Sequence, residues 1–272
     1  MRLRVLGSGS SGNATLVESA GVRVLVDAGL GCRELSERLD AAGVDPASIA
    51  VIFLSHEHQD HARGAAAFSR KWGARICGSR GTYAAAGLGA EDTAGYDVLE
   101  PGMPRAVGAL SVRGVPVPHD AIGPLAFVIE ADGCSLGHGT DFGHVSRGLA
   151  DGFQDCDAVL IESNYDPAML REGPYPWPVK ERILGSRGHL SNDDVARYLL
   201  RDLGAPCRMV LLAHISQNNN HPELARMAAE TALRRRGRTE VRLELTGADG
   251  TDWMDVAPAA GASRGPQQLR LW

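Results

Sequence analysis

One stretch limits what this chain can become. Directly after the apolar run Val51-Ile52-Phe53-Leu54 comes Ser55-His56-Glu57-His58-Gln59-Asp60-His61, which places three imidazoles and two carboxylates within seven residues. A hydrophobic core cannot absorb that density unaided, because an unpaired buried charge costs on the order of several kcal/mol or more. A strand that ends here must have compensating groups gathered around its tip, and a bound cation is the direct candidate.

Further on, six of the nine histidines follow or end runs of strand character: His56, His58, His61, His119 after VRGVPVP, His138 within SLGHGTD, and His214 after MVLLA. Loop residues at one edge of a sheet converge in space, and imidazoles with carboxylates form the ligand set preferred by zinc and accepted by manganese and iron. The spacing H-x-H-x-D-H is far more specific than a lone histidine pair. His138 and His144 read as ordinary loop residues and stay outside the expected ligand set.

The elements around these residues are legible in outline. RLRVLG, ATLVES and GVRVLVDAG are short runs of β character separated by turn residues and predict an opening meander. CRELSERLDAAG has Leu35 and Leu39 four residues apart and predicts a surface helix stopped by Gly43. AVIFLS predicts a buried strand, and ARGAAAFSRKWG a helix beginning just after His61. Further strands are expected at ARICGS, ALSVRGVPV, LAFVIEA, CSLGHGT, AVLIES, RMVLLAH and EVRLEL. Helices are expected at DVARYLLRDL, capped by Ser191 or Asn192, and at PELARMAAETALRRR. Blocks of strands with helices between them favour two mixed sheets covered by helices over an alternating βαβ sheet.

Length and composition narrow the class. The 272 residues, 44% hydrophobic and 22% charged, suit one large soluble domain, expected over residues 1–256, with a flexible tail at 257–272. No apolar run approaches the roughly 18 residues of a membrane span. The N-terminus lacks the apolar stretch of about 7 to 15 residues of a secretory signal, so a cytoplasmic location is expected. Cys32, Cys77, Cys134, Cys156 and Cys207 are odd in number and form no C-x-x-C pair. They are expected to be reduced and mostly buried. A net charge of -5 excludes a general basic coat, so a nucleic-acid partner would be held by a local patch or by bound metal. Nothing in these features sets an oligomeric state.

From the first strand to about residue 246, the chain resembles the metallo-β-lactamase superfamily. That resemblance implies an α/β fold, a four-layer αββα sandwich of two mixed β-sheets flanked by helices. It implies two divalent metal ions, zinc or manganese. His56, His58 and His119 correspond to ligands of one ion; Asp60, His61 and His214 correspond to ligands of the other. Asp141 in GTDFG corresponds to a bridging carboxylate, and Asp27 in LVDAG to a residue that supports the metal loop.

The segments GSGSSGN, SHEHQDH, PHDA, TDFGHVS, ESNYDPAML, GPYPWPVKERI, GHLSN and AHISQNNN, in that order, resemble the YycJ branch, also called WalJ, whose members look like DNA exonucleases. Phe142 and Tyr165 depart from the branch pattern without touching a proposed ligand. The resemblance implies removal of nucleotides from a 5′ end of DNA, with His189 near the scissile phosphate and Glu162 as its orienting partner. Asp60, His189 and Glu162 make up the expected catalytic set.

Lys180, Arg182 and Arg187 precede His189 and are the phosphate candidates, and Ser191 and Asn192 complete the expected substrate-binding set. GSGSSGN lacks the ending of a phosphate-binding P-loop and reads as a tight turn lining the site. Arg234, Arg235 and Arg236 read as a basic helix end favoured by the macrodipole. Two rivals share the ligand set: a small-molecule hydrolase, such as a cyclic phosphodiesterase or a thioester or lactone hydrolase, and a non-enzymatic metal-binding partner. GHLSN and the basic residues before it favour the nuclease.

Overall fold

In the computed structural model, which describes residues 1–89 and 91–258, the chain forms two sheets of seven strands each. The first is built from β1 (Arg2–Gly7), β2 (Ala14–Ser19), β3 (Val22–Val26), β4 (Ile49–Leu54), β5 (Arg75–Gly78) and β6 (Tyr96–Val98). The second takes β7 (Pro104–Val107), β8 (Leu110–Pro116), β9 (Leu125–Ala131), β10 (Cys134–Gly139), β11 (Ala158–Glu162), β12 (Met209–Ala213) and β13 (Arg242–Leu245). The last strand, β14 (Met254–Asp255), returns to the first sheet beside β1. Each sheet is antiparallel in part and parallel in part: β3 to β6 run parallel, as do β10 to β13.

Alternation within the apolar strands decides which layer each side chain joins. Val51 and Phe53 of β4 point between the sheets, where Phe53 meets Phe127 edge to face at 5.9 Å, while Ile52 and Leu54 point to the helices outside. In β11, Ala158 and Leu160 face inward and Val159 and Ile161 outward. Strands apolar on both faces must be covered on both faces, and this produces four layers.

On the outer face of the first sheet lie α1 (Cys32–Ala41), which buries Leu35 and Leu39, and the short α2 (Gln59–Ala62) and α3 (Ala65–Trp72). The helix expected to run unbroken after His61 is thus divided. Gly64 interrupts it because this backbone presses on the turn before α1, where a Cβ would lie 2.1 Å from the Leu30 carbonyl oxygen. Next in the chain is α4 (Arg80–Ala85). On the second sheet lie α5 (Arg147–Phe153), α6 (Pro167–Glu172), α7 (Trp177–Leu184), α8 (Asn192–Arg201) and α9 (Pro222–Arg236). Ser191 caps α8 in a reciprocal capping box with Asp194, and His221 caps α9.

Cys77, Cys134, Cys156 and Cys207 are buried, as expected, and Cys32 is partly exposed. No helix among the described residues is long and apolar enough to cross a membrane. The expected tail lies, from residue 259 on, outside the described residues.

Candidate active site

Strand ends of both sheets meet at one edge of the sandwich. Three of the residues there, Asp27 after β3, Asp141 after β10 and His214 after β12, adopt left-handed backbone with φ of 62, 61 and 53°. Aspartate and histidine are among the residue types enriched in this conformation. Three such turns at one edge redirect these side chains where the strand pleat ends, and they do so at a modest local cost typical of functional sites.

The loop after β4 supplies the first group. His56, His58 and His119 offer nitrogens that all lie within 4.8 Å of one another, with ring centroids 4.6 to 5.0 Å apart. His119 is fixed from behind by its Nδ1, which lies 3.1 Å from the Arg187 carbonyl and 3.2 Å from that of Gly188. Burial pushes the His56 imidazole well below 6.5, with neighbouring His61 adding to the effect, and burial lowers His119 too. Neutral imidazoles are the form that binds metal.

Asp60, His61, Asp141 and His214 form a second group, again within 4.8 Å. Asp141 belongs between the groups: Oδ2 lies 2.5 Å from His61 Nε2 and 3.5 Å from His56 Nε2, and Oδ1 lies 2.8 Å from His214 Nδ1. Asp60 Oδ2 stands 3.7 Å from His61 Nε2 and 3.5 Å from His214 Nε2. Here the carboxylates dominate. Burial pulls the His61 imidazole down, but Asp141 and Asp27 outweigh it and raise it to about 10. Burial opposes ionisation of Asp141, yet His214 and His61 hold its carboxyl well below the usual range. Such a cluster draws positive charge to itself.

A third set, Asp141, Glu162, His189 and His214, overlaps the second. His189 Nδ1 lies 3.1 Å from Glu162 Oε2 and 3.3 Å from Asp141 Oδ1. Glu162, the fully buried last residue of β11, accepts the Phe142 and Leu190 amides at 2.8 and 3.1 Å through its other oxygen. Burial lowers the His189 imidazole, but Glu162 and Asp141 more than reverse this and raise it to about 9.

The donor set suits divalent cations. Buried His56 Nε2 and His214 Nε2 have no hydrogen-bond partner among the described residues, although each is surrounded by ligand-type atoms. Buried polar atoms left in that state are costly without a ligand. The loop is braced for such a load: Asp27 accepts the Ser55 amide and hydroxyl at 2.8 and 2.9 Å and lies 2.8 Å from His61 Nδ1. Carboxylates behind histidines in this way fix ring orientation and tautomer.

Comparison with known proteins agrees with this architecture. The sequence pattern of the beta-lactamase superfamily domain matches residues 22–215. The chain belongs to that superfamily. Within it, the chain is 36% identical over 233 residues to the exodeoxyribonuclease WalJ of Streptococcus pneumoniae strain D39, covering 84% of this chain and 87% of the relative. It is 32% identical over 239 residues to the exodeoxyribonuclease YycJ of Bacillus anthracis, covering 87% and 90%. The metallo-beta-lactamase fold protein YhfI of Bacillus subtilis superposes with a TM-score of 0.72 at 16% identity, over 93% of this chain and 99% of that one. The superfamily sandwich of two mixed sheets flanked by helices is therefore the fold of this chain.

The expected substrate-binding residues are placed unevenly around the superfamily site. Lys180 is buried, with its ammonium donating to the Arg171 carbonyl at 2.7 Å, and Arg187 donates to the His119 and Ala121 carbonyls. Ser191 is occupied as a helix cap, and Asn192 is buried between Ser163 and Asn220. Arg182 keeps an exposed guanidinium, paired at 2.5 Å with Asp120, the neighbour of His119. The GSGSSGN loop lines the site as a tight turn. Within it, Asn13 reaches His61 Nε2 at 3.0 Å, and the Ser8 hydroxyl accepts the His214 amide at 2.8 Å.

Sequence reasoning missed as supports Ser8, Ser55 and Asn164, whose amide nitrogen donates to the His214 carbonyl at 2.9 Å and lies 3.2 Å from His214 Nδ1. Ser55 stands inside the quoted motif and Asn164 immediately precedes Tyr165, so position was the available signal. His138 lies beneath the site between the sheets, 3.0 Å from the Thr15 hydroxyl, and His144 is exposed; neither joins a ligand group.

Proposed function

We propose that this chain is a metal-dependent exodeoxyribonuclease that removes nucleotides from the 5′ end of DNA. One observation carries the reading: Asp141 belongs to the second group of ligand-type side chains, its Oδ2 comes within 3.5 Å of His56 Nε2 in the first, and His189 stands at the same carboxylate. The substrate class is supported by the two relatives named exodeoxyribonucleases, whose length this chain nearly spans. In the reading, His56, His58 and His119 would hold one ion, Asp60, His61 and His214 would hold a second, and Asp141 would contribute to both.

Divalent ions bound there would supply an activated water and neutralise charge on a phosphodiester. The chain's own residues do the rest. Asp60 and Asp141 would anchor the ions at the carboxylate side of the site. Glu162 engages His189 at Nδ1, which fixes the ring and leaves Nε2 to donate a proton to the departing 3′ oxygen. Arg187 works indirectly, by holding the loop of His119 against the turn before His189. Arg182 is the substrate-facing cation, set at the rim by Asp120.

DNA labelled at either end, single- and double-stranded, incubated with the zinc- or manganese-loaded protein, tests the proposal. Early release of a labelled mononucleotide from the 5′ end supports it. Release from the 3′ end alone overturns the polarity, and turnover of an aryl phosphodiester with intact DNA favours a small-molecule hydrolase.

A further inference from the structure

A groove of about 340 Å³ runs between α8 and α9 on the outer face of the second sheet. Both helices start at the site. α8 opens three residues after His189, α9 follows the loop that leaves His214, and their beginnings are tied by Asn192 donating to Asn220 Oδ1 at 2.9 Å. Their far ends are tied as well, by Arg236 donating to the Leu199 carbonyl at 2.9 Å. The helices therefore run parallel, and the groove between them leads away from the catalytic edge.

Its walls are positive in an otherwise acidic protein. Arg197 and Arg201 of α8 and Arg235 of α9 line it, all exposed, over a floor that includes Ala228 and Ala232; Asp193, at the end nearest the site, is the acidic residue in the lining. Arg197 is paired with Asp194 at 2.6 Å, whereas among the described residues neither Arg201 nor Arg235 has a carboxylate within salt-bridge distance. The macrodipole favours cations in a last helical turn, which accounts for Arg201 and Arg235 being basic. It does not account for Arg197 in mid-helix, nor for three guanidiniums facing one groove.

We infer that this groove is a track for the phosphate backbone of a DNA strand whose end lies in the metal site. The inference rests on the nuclease reading above and adds where the rest of the strand lies. The ten residues of α8 extend about 15 Å, the axial length of about four nucleotides stacked as in a duplex strand at about 3.4 Å each, and fewer if the strand is extended. A strand of that length or longer engages Arg201 and Arg235; a dinucleotide ends short of them. Polyanion contact of this kind is independent of base sequence.

The test uses the full-length, metal-loaded protein and its Arg201→Ala/Arg235→Ala double variant, on a dinucleotide and on a single strand of about twenty nucleotides. The expected result is a KM for the long strand about five- to tenfold higher in the variant, the scale of two exposed charge contacts, with kcat and the dinucleotide unchanged. The salt dependence of long-strand binding should become shallower by about 1.4, at about 0.7 per lost phosphate contact. An unchanged long-strand KM and salt slope overturn the track and leave the groove to another partner, such as an acidic protein segment. If the wild type cleaves neither substrate, the nuclease reading falls by itself. The groove is then judged by anisotropy of the labelled long strand, where binding that is absent or insensitive to the double substitution overturns it.

Discussion

Asp141 Oδ2 lies 2.5 Å from His61 Nε2, a carboxylate and an imidazole in direct contact with both side chains almost fully buried. The same Oδ2 lies 3.5 Å from His56 Nε2 of the other ligand group, so one side chain reaches both groups. The loaded protein should hold two ions per chain, and Asp141→Ala should weaken both sites, whereas His58→Ala should weaken one. Elemental analysis after reconstitution and dialysis checks this. An Asp141→Ala protein that keeps two tightly held ions contradicts the bridging role.

His189 separates a nuclease from a mere metal site. His189→Ala should keep its metal content and lose about 100-fold or more in turnover on DNA. The loss should be much smaller on bis-nitrophenyl phosphate, whose leaving group departs without a proton. Because His189 also shares a ligand-type group with Asp141, Glu162 and His214, loss of an ion in this variant would make it a ligand instead.

Gly29 is where the backbone before α1 approaches the metal loop: a Cβ there would lie 1.7 Å from the Asp60 carbonyl oxygen. Gly29→Ala must push that loop outward, at a cost of about 1–3 kcal/mol. It should lower both the melting temperature and the affinity of the site that uses Asp60. Gly31→Ala, which meets nothing within 4 Å, is the control and should be tolerated. Equal melting curves and equal metal affinity for the two variants would show that the loop is not held by this contact.

Burial pushes the Cys77 thiol up to about 12 and the Cys207 thiol up to about 11. A raised thiol pKa leaves less thiolate at a given pH, so at about pH 8 alkylation of the folded protein should occur first at the partly exposed Cys32. Peptide mapping after brief iodoacetamide treatment reads the order. Early modification of Cys77 or Cys207 would mean that the core opens readily.

The parts of this fold that rest on repeating hydrophobic pattern were legible in the sequence. β4 and β11 read as buried runs, and Leu35 and Leu39 marked the buried face of α1. The histidines and aspartates converge because each ends or follows such a strand. The segments at residues 80–107, 141–157 and 163–189 carried no comparable period. There α4 and α6 span only six residues each, α7 opens in Pro-Trp-Pro, and β6 and β7 are short and largely exposed. Phosphate contacts were the least legible. A side chain's charge is visible in sequence, but whether it is spent on a carbonyl, as with Lys180 and Arg187, depends on tertiary placement.

The most direct measurement is a time course of single-turnover cleavage of 5′-labelled DNA by the metal-loaded protein, run beside the chelated protein and His56→Ala. The account predicts labelled mononucleotide as the first product, produced by the loaded wild type and abolished in both controls. DNA that stays intact while two ions are shown to be bound would contradict it.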